Sequence, residues 1–445
     1  MTKKLIGNPR DAALEVLLEV SKNQAYSNLL VSRKIKEYKL EGPDRGLMTE
    51  LAYGTLQHQT KLDFLLAPFL KGKIETWVRV LLRLSIYQLV FLDRIPEHAV
   101  VNEAVAISKK RGHKGISGLV NGVLRSFLRE GPRSTETIAD PLQRLAVETS
   151  HPEWLLKDWI DRYGFEKARE IAEQNNTAPP QTVRVNTVKV SREDAIATLE
   201  EEGFSVRKGI VEESLHVSGK PAASSQLFKT GLLTIQDESS MLPAHALQLK
   251  QGLSVLDMCA APGGKTTHIA QLMGDTGNVI ALDLHPHKVK LIRENAERLG
   301  LTTIEPLVGD ARQAGEIVNG ALFDRILIDA PCSGYGVIRR KPDMKYTKQP
   351  TDAARLAEIQ SAILEEAYVL LKPGGTIVYS TCTIEPTENQ QVVEAFLSQH
   401  PDMESIDLPV ILEKLPHLSE GPGIQILPYA DGDGFYLATL TKRAI

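Results

Sequence analysis

Two short stretches of the chain place a cysteine beside residues that can do chemistry: Asp329-Ala330-Pro331-Cys332-Ser333-Gly334 and Ser380-Thr381-Cys382-Thr383. Each follows an apolar run, 323–328 and 375–379, that reads as a buried strand. In a doubly wound sheet, neighbouring strand ends share the crevice at the carboxyl edge. The spacing therefore predicts that two thiols and the Asp329 carboxylate converge. Such a set suits methylation of carbon 5 of a cytosine. That carbon is too weak a nucleophile to attack a sulfonium unaided, but a thiolate added to carbon 6 turns the ring into an enamine. An acid near N3, for which Asp329 is the candidate, spreads the developing charge. The second thiol can assist release, and cysteine suits both tasks because its thiolate is reached near neutral pH. The base must leave its stack to enter such a pocket.

A methyl donor needs its own site, and one lies upstream. The strand 254–258 runs into Cys259-Ala260-Ala261-Pro262-Gly263-Gly264-Lys265, followed by a helix predicted over 266–273. Strand, glycine turn and helix in that order make a nucleotide-type site, with unpaired N–H groups at the helix start. The next strand, 279–282, ends in Asp283, placed to accept both hydroxyls of a ribose. A phosphate-gripping loop needs glycine where Cys259 stands, and G-x-G-x-x-G is not met either. S-adenosylmethionine carries no phosphate and tolerates a looser turn, with the strand tip at Asp310 beside its adenine.

The third cysteine, Cys259, belongs to that loop. Three cysteines in 445 residues, none spaced as C-x-x-C, suggest neither zinc nor a disulfide framework. No metal is expected. Hydrophobic residues make up 42% and charged residues 24%, as in an ordinary globular protein, and no apolar run is long enough to span a bilayer. Met1-Thr2-Lys3-Lys4 is basic, but no apolar stretch and cleavage site follow, so a cytoplasmic protein without a signal peptide is expected. Residues 1–133 carry 22 Lys+Arg and 13 Asp+Glu, a balance of +9; the chain sums to -4, so the rest carries -13. A basic front joined to an acidic remainder fits an RNA-docking module on an enzyme.

The elements that must position these groups fall into three blocks. From Arg10 to about Leu128 apolar residues recur at three and four, which predicts an all-α domain over 1–140 with a buried central helix at 77–91 and helices at 102–110 and 117–128. Lys109-Lys110-Arg111-Gly112-His113-Lys114 is a basic cluster that could grip phosphate. After a linker at 131–135, strands at 183–187, 204–206 and 215–217 and a helix opened by Ser191 and closed by Gly203 predict a small α+β domain over 141–232. From 233 to 445 strands alternate with helices, the mark of a doubly wound α/β sheet.

Taken together, Leu256-Asp257-Met258 with the Cys259 to Lys265 loop, Asp329 to Gly334 and Ser380 to Thr383 resemble the RNA cytosine-C5 methyltransferases of the NOL1/NOP2/Sun family. The resemblance implies a Rossmann-like, S-adenosylmethionine-dependent domain with a seven-stranded sheet. It makes Cys382 the nucleophile and Cys332 the residue that helps release product. Cys259 to Lys265, Asp283, Asp310 and Asp329 become the cofactor residues. Leu82-Arg83-Leu84-Ser85-Ile86-Tyr87-Gln88-Leu89 and Ile95-Pro96-Glu97-His98-Ala99-Val100 look like a NusB-type RNA-binding domain. This combination is similar to the bacterial Sun/RsmB subgroup, whose substrate is a cytosine of 16S ribosomal RNA, unassembled or early in assembly. The middle block resembles the small, RRM-like RNA-contacting domain of the family, with Arg184 on its first strand, and Arg184 and Lys265 are candidates for RNA contact. Asp431-Gly432-Asp433-Gly434-Phe435 resembles the closing hairpin strand of the sheet. A monomer is expected, with no membrane partner. The alternatives are the same chemistry on transfer RNA or 23S ribosomal RNA, and a non-catalytic RNA-binding factor on this scaffold. The second predicts loss of Cys332, Cys382 or Asp329, and all three are present.

Overall fold

Apolar residues three and four apart give each amino-terminal helix one buried stripe, and the stripes close on one another. The computed structural model describes residues 5–23, 27–406, 415–419 and 421–444; the basic start at 1–4 lies outside them. By its internal packing the chain forms two units, Met1–Thr177 with Ile338–Lys348, and Ala178–Val337 with Gln349–Ile445.

The first unit is helical. Its central helix, Thr76–Phe91, buries Val78, Val80, Leu81, Leu82, Leu84 and Ile86. Around it pack the helices Pro9–Asn23, Gly42–Gln57, Gln59–Leu66, Glu97–Arg111 and Lys114–Glu130. Polar groups inside are paired. Asp11, fully buried, accepts from Leu5 N (2.8 Å), Tyr38 OH (3.0 Å) and Arg111 Nε (2.6 Å). Arg111 also reaches Glu15 at 2.5 Å, so this member of the basic cluster is an interior brace, while Lys109, Lys110 and Lys114 stay exposed. Residues 141–177 form the helices Pro141–Thr149, Glu153–Tyr163 and Phe165–Gln174 and belong to this unit.

Ile338–Lys348, from far along the chain, completes the unit. Its Lys345, 2% exposed, donates to Gln57 O (3.1 Å), Thr149 O (3.1 Å) and Asn176 Oδ1 (2.6 Å). Burial, aided by the Lys345 charge, pushes His58 down to about 3 and His151 well below its ordinary range. Both rings are therefore neutral in the folded unit, whereas the unfolded chain protonates them below about pH 6.5. A depressed folded pKa means stability that is complete above 6.5 and is lost as pH falls toward 3. All three tryptophans, Trp77, Trp154 and Trp159, sit in this unit. The urea midpoint read by tryptophan fluorescence should therefore drop between pH 7 and 5, by roughly 2 kcal/mol of stability per pH unit for the two rings together. A midpoint that stays level until pH 4.5 contradicts neutral burial of these rings.

The second unit holds two sheets. The small one is antiparallel, in the order β2 (Ser205–Lys208), β3 (Ser214–Ser218), β1 (Gln181–Val185), β4 (Leu233–Ile235). Helix Arg192–Glu201 covers it, its first turn capped by Ser191 accepting from Asp194 N. The large sheet carries parallel strands β5 (Ser254–Asp257), β6 (Asn278–Asp283), β7 (Ile304–Val308), β8 (Phe323–Asp329) and β9 (Leu371–Thr381) in the order β7-β6-β5-β8-β9. Beyond β9 run β13 (Phe435–Lys442) and β12 (Ile424–Ile426), antiparallel. These are the seven expected strands. Two further pairings, β10 (Met403–Ser405) on β13 and β11 (His417–Leu418) on β12, bring the sheet to nine among the described residues. Strands of two or three residues leave too little periodicity to read. Among the described residues no helix is long and apolar enough to cross a membrane.

Candidate active site

β5, β6, β7, β8 and β9 all end at one edge of the sheet, and the residues singled out by sequence stand there. At the tip of β5 the turn closes through Gly263 N to Ala260 O (2.7 Å). Gly263 has φ +99° and a Cβ there would lie 3.1 Å from Ile292 Cα, so the turn needs glycine. Gly264 opens the helix Gly264–Leu272. Asp283, at the tip of β6, accepts from Ala261 N (3.2 Å) and His285 N (3.1 Å), which fixes its carboxylate beside the loop. Asp310, beyond β7, is held by Arg312, whose side-chain hydrogen bonds pull its pKa down.

Acidic groups dominate this edge. Burial first, then the charges of Asp257, Asp329, Asp283 and Asp310, push the Cys259 thiol well above its ordinary range. Cys259 is thus a poor nucleophile and a marker of negative potential. Asp257 is fully buried; burial and the Asp329 charge raise it to about 7, against a hydrogen bond from Thr266 Oγ1 at 2.7 Å. A cradle with a glycine turn, fixed carboxylates and no phosphate-binding pattern fits S-adenosylmethionine, whose sulfonium and ammonium are cationic.

Cys332 and Cys382 are brought together, with Sγ atoms 3.3 Å apart, and both are partly exposed free thiols. The neighbouring Cys382 sulfur and burial raise the Cys332 thiol, which keeps its proton. Asp329 Oδ2 accepts from Lys265 Nζ at 2.7 Å and its Oδ1 from Ser380 Oγ at 3.2 Å. Lys265 therefore leaves the loop that carries it and joins the thiol side, with Nζ 5.4 Å from the Phe435 ring centre. Burial opposes its charge, but Asp329 and the Cys382 sulfur outweigh it and its pKa is raised. The cysteine loops touch through backbone: Gly336 N donates to Cys382 O (3.0 Å) and Gly434 N to Gly336 O (2.8 Å). A Cβ on Gly336 would lie 2.1 Å from Gly434 O.

Arg184 is not available to RNA. It is 1% exposed and donates to Gln236, to Gly264 O (2.7 Å), Thr267 Oγ1 (2.9 Å) and Gln271 Oε1 (3.2 Å). It ties β1 to the helix behind the glycine turn. On the same helix is His268, and ligand-type atoms of Glu213, His245 and His268 lie within 4.8 Å of one another. Both imidazole Nε2 atoms meet one oxygen, Glu213 Oε1, and burial with the Arg184 charge holds His268 at about 3.

Sequence reasoning missed Glu388 and its companions. Glu388 is fully buried, and its Oε2 accepts from Ser333 N (2.8 Å) and Gln360 Nε2 (3.0 Å). No local pattern marks this residue, because its partners lie 28 and 55 positions away.

Known proteins agree with this architecture. A family model for the 16S rRNA methyltransferase RsmB/F matches residues 244–441, the NusB family model matches 7–129, and an RsmF/B-like ferredoxin-like domain model matches 151–223. The chain is 52% identical to the probable ribosomal RNA small subunit methyltransferase B of Bacillus subtilis (strain 168), over 98% of each chain. The crystal structure of PH0851 superposes with a TM-score of 0.83 at 27% identity, covering 99% of this chain and all of that one. A methyltransferase homolog protein from Pyrococcus horikoshii gives a TM-score of 0.59 at 30% identity, over 68% of this chain and 99% of that one. With three domain matches in order and a relative more than half identical along nearly its whole length, the chain belongs to the ribosomal RNA small subunit methyltransferase B family.

Proposed function

We propose that this protein methylates carbon 5 of a cytosine in 16S ribosomal RNA, using Cys382 as a transient nucleophile. The observation that carries the reading is the pair of thiols 3.3 Å apart beside the Lys265–Asp329 ion pair. Cys382 gives its proton to solvent and its sulfur bonds to carbon 6, while the pair of the carbon 5–carbon 6 double bond moves toward N3 and carbon 5, which makes carbon 5 nucleophilic. The Lys265 ammonium stands where a thiolate gains from it. Asp329, with the proton its Lys265 partner carries, answers N3 and the ring charge. S-adenosylmethionine supplies the electrophilic methyl group. A base then takes the carbon 5 proton, the carbon 6–sulfur bond breaks, and the electron pair returns to the Cys382 sulfur. Cys332, held as a thiol, stands beside that sulfur to assist its departure.

The proposal is tested with unmodified 16S, 23S and transfer RNA, each given methyl-labelled S-adenosylmethionine and then digested to nucleosides. Label is expected in 5-methylcytidine from 16S RNA. Label confined to 23S or transfer RNA moves the substrate and keeps the chemistry, whereas label in any other nucleoside overturns the chemistry.

A further inference from the structure

Both thiols are gripped from one place. Glu388 and Asn389, adjacent in sequence and both fully buried, reach to either side of the two cysteines. On the Cys332 side, Glu388 Oε2 accepts from Ser333 N (2.8 Å) and from Gln360 Nε2 (3.0 Å), and the same Gln360 nitrogen donates to Pro331 O (2.9 Å). The residue after Cys332 is thus fastened to Glu388 directly, and the one before it through Gln360. On the Cys382 side, Thr381 Oγ1 donates to Asn389 Oδ1 (2.6 Å), and Asn389 Nδ2 donates to Thr383 O (3.1 Å). The residues before and after Cys382 are both fastened to Asn389. A cross-tie, Ser333 Oγ to Thr383 Oγ1 at 2.7 Å, joins the two clips. Tyr379 OH anchors the clamp itself by donating to Glu388 O at 2.6 Å.

We propose that Glu388 and Asn389 are positioning residues for the two sulfurs, Glu388 holding Cys332 for release and Asn389 holding Cys382 for attack. The inference rests on the roles assigned to the two cysteines above. A carboxylate buried from water with one oxygen lacking any partner is costly, and burial does raise the Glu388 pKa. A group retained at such a cost in the core of a reaction loop is well suited to geometry that an apolar residue cannot supply. Displacement of a reacting atom by about 1 Å can slow a step by roughly a hundredfold.

Single-turnover methylation and the steady-state fraction of protein–RNA adduct are measured for wild type, Cys332→Ala, Glu388→Ala, Glu388→Gln and Asn389→Ala. Glu388→Ala is expected to accumulate about tenfold more adduct than wild type, with a single-turnover rate within about threefold. Glu388→Gln keeps an oxygen for Ser333 N and Gln360 and should behave as wild type. Asn389→Ala is expected to lose roughly a hundredfold in single-turnover rate without adduct build-up. If Glu388→Ala does not fold, Gln360→Met removes the Pro331 tether and its own bond to Glu388 while Ser333 N stays on Glu388, and should shift the balance toward adduct in the same direction. Equal slowing of attack and release in both alanine variants, while Cys332→Ala still traps adduct, means that the pair only supports the fold. Absence of adduct in Cys332→Ala removes the cysteine roles themselves, and the proposal with them.

Discussion

Cys332→Ala protein given unmodified 16S RNA and S-adenosylmethionine is expected to run on a denaturing gel as a covalent protein–RNA band, while Cys382→Ala gives neither band nor methylated RNA. The expectation follows from the order of bond changes. Of the two thiols, the proposed attack and methyl transfer use that of Cys382, so they proceed without Cys332. Release must break the carbon 6–sulfur bond, and there the neighbouring thiol at 3.3 Å is missing. Loss of the nucleophile should cost at least about 10⁴-fold in rate, because the uncatalysed ring carbon has no other route to activation. The reverse pattern, with the band in Cys382→Ala, exchanges the two roles. Methylation surviving both substitutions makes the thiols structural and ends the cytosine-C5 reading.

The second large effect is expected at Lys265. Its ammonium is joined to Asp329 at 2.7 Å and is drawn further by the Cys382 sulfur. In Lys265→Met the Asp329 carboxylate loses its counter-ion and the ring loses its nearby cation. The single-turnover rate should fall about 10²- to 10³-fold, the scale for removing one preorganised charge from a reacting centre. Affinity for S-adenosylmethionine, measured by equilibrium dialysis, should change by no more than about threefold, because the side chain points away from the glycine turn toward β8. A loss confined to cofactor affinity would return Lys265 to the cofactor loop, where its sequence position alone puts it.

That contrast shows where the sequence was readable. The glycine turn, the strand-tip carboxylates and both cysteines lie within a few residues of the strands that carry them, so local pattern was enough to place them at one sheet edge. The RsmB-type resemblance rested on these short runs together with the NusB-like runs at 82–89 and 95–100, and the family matches support it along the chain. Direction was harder to read than place. Arg184 alternates on a strand like any polar residue, yet it turns inward to Gly264 and Thr267 because a sheet and a helix close over it. Lys265 sits in the turn by sequence and on Asp329 by side chain. Glu388 follows the Cys382 motif as an unremarkable polar residue, and its meaning lies in Ser333 and Gln360, which only tertiary packing brings near. Three strands of two or three residues, β4, β10 and β11, escaped for a simpler reason, since no alternation develops over so short a run, and β4 carries the small sheet past the expected boundary at 232.

The segment Ile338–Lys348 has a consequence for how this architecture can be taken apart. It begins four residues after Gly334, yet it completes the helical unit, where Lys345 closes on Gln57, Thr149 and Asn176. The two units are therefore interleaved along the chain, and no single cut yields both pieces whole. A fragment ending near residue 177 would present two carbonyls and an amide oxygen to an empty slot. A fragment starting there would carry a displaced lysine-bearing strand of chain with nowhere to bury it. Modules of this kind can be exchanged between relatives only as a set, with the insert and its receiving helices inherited together.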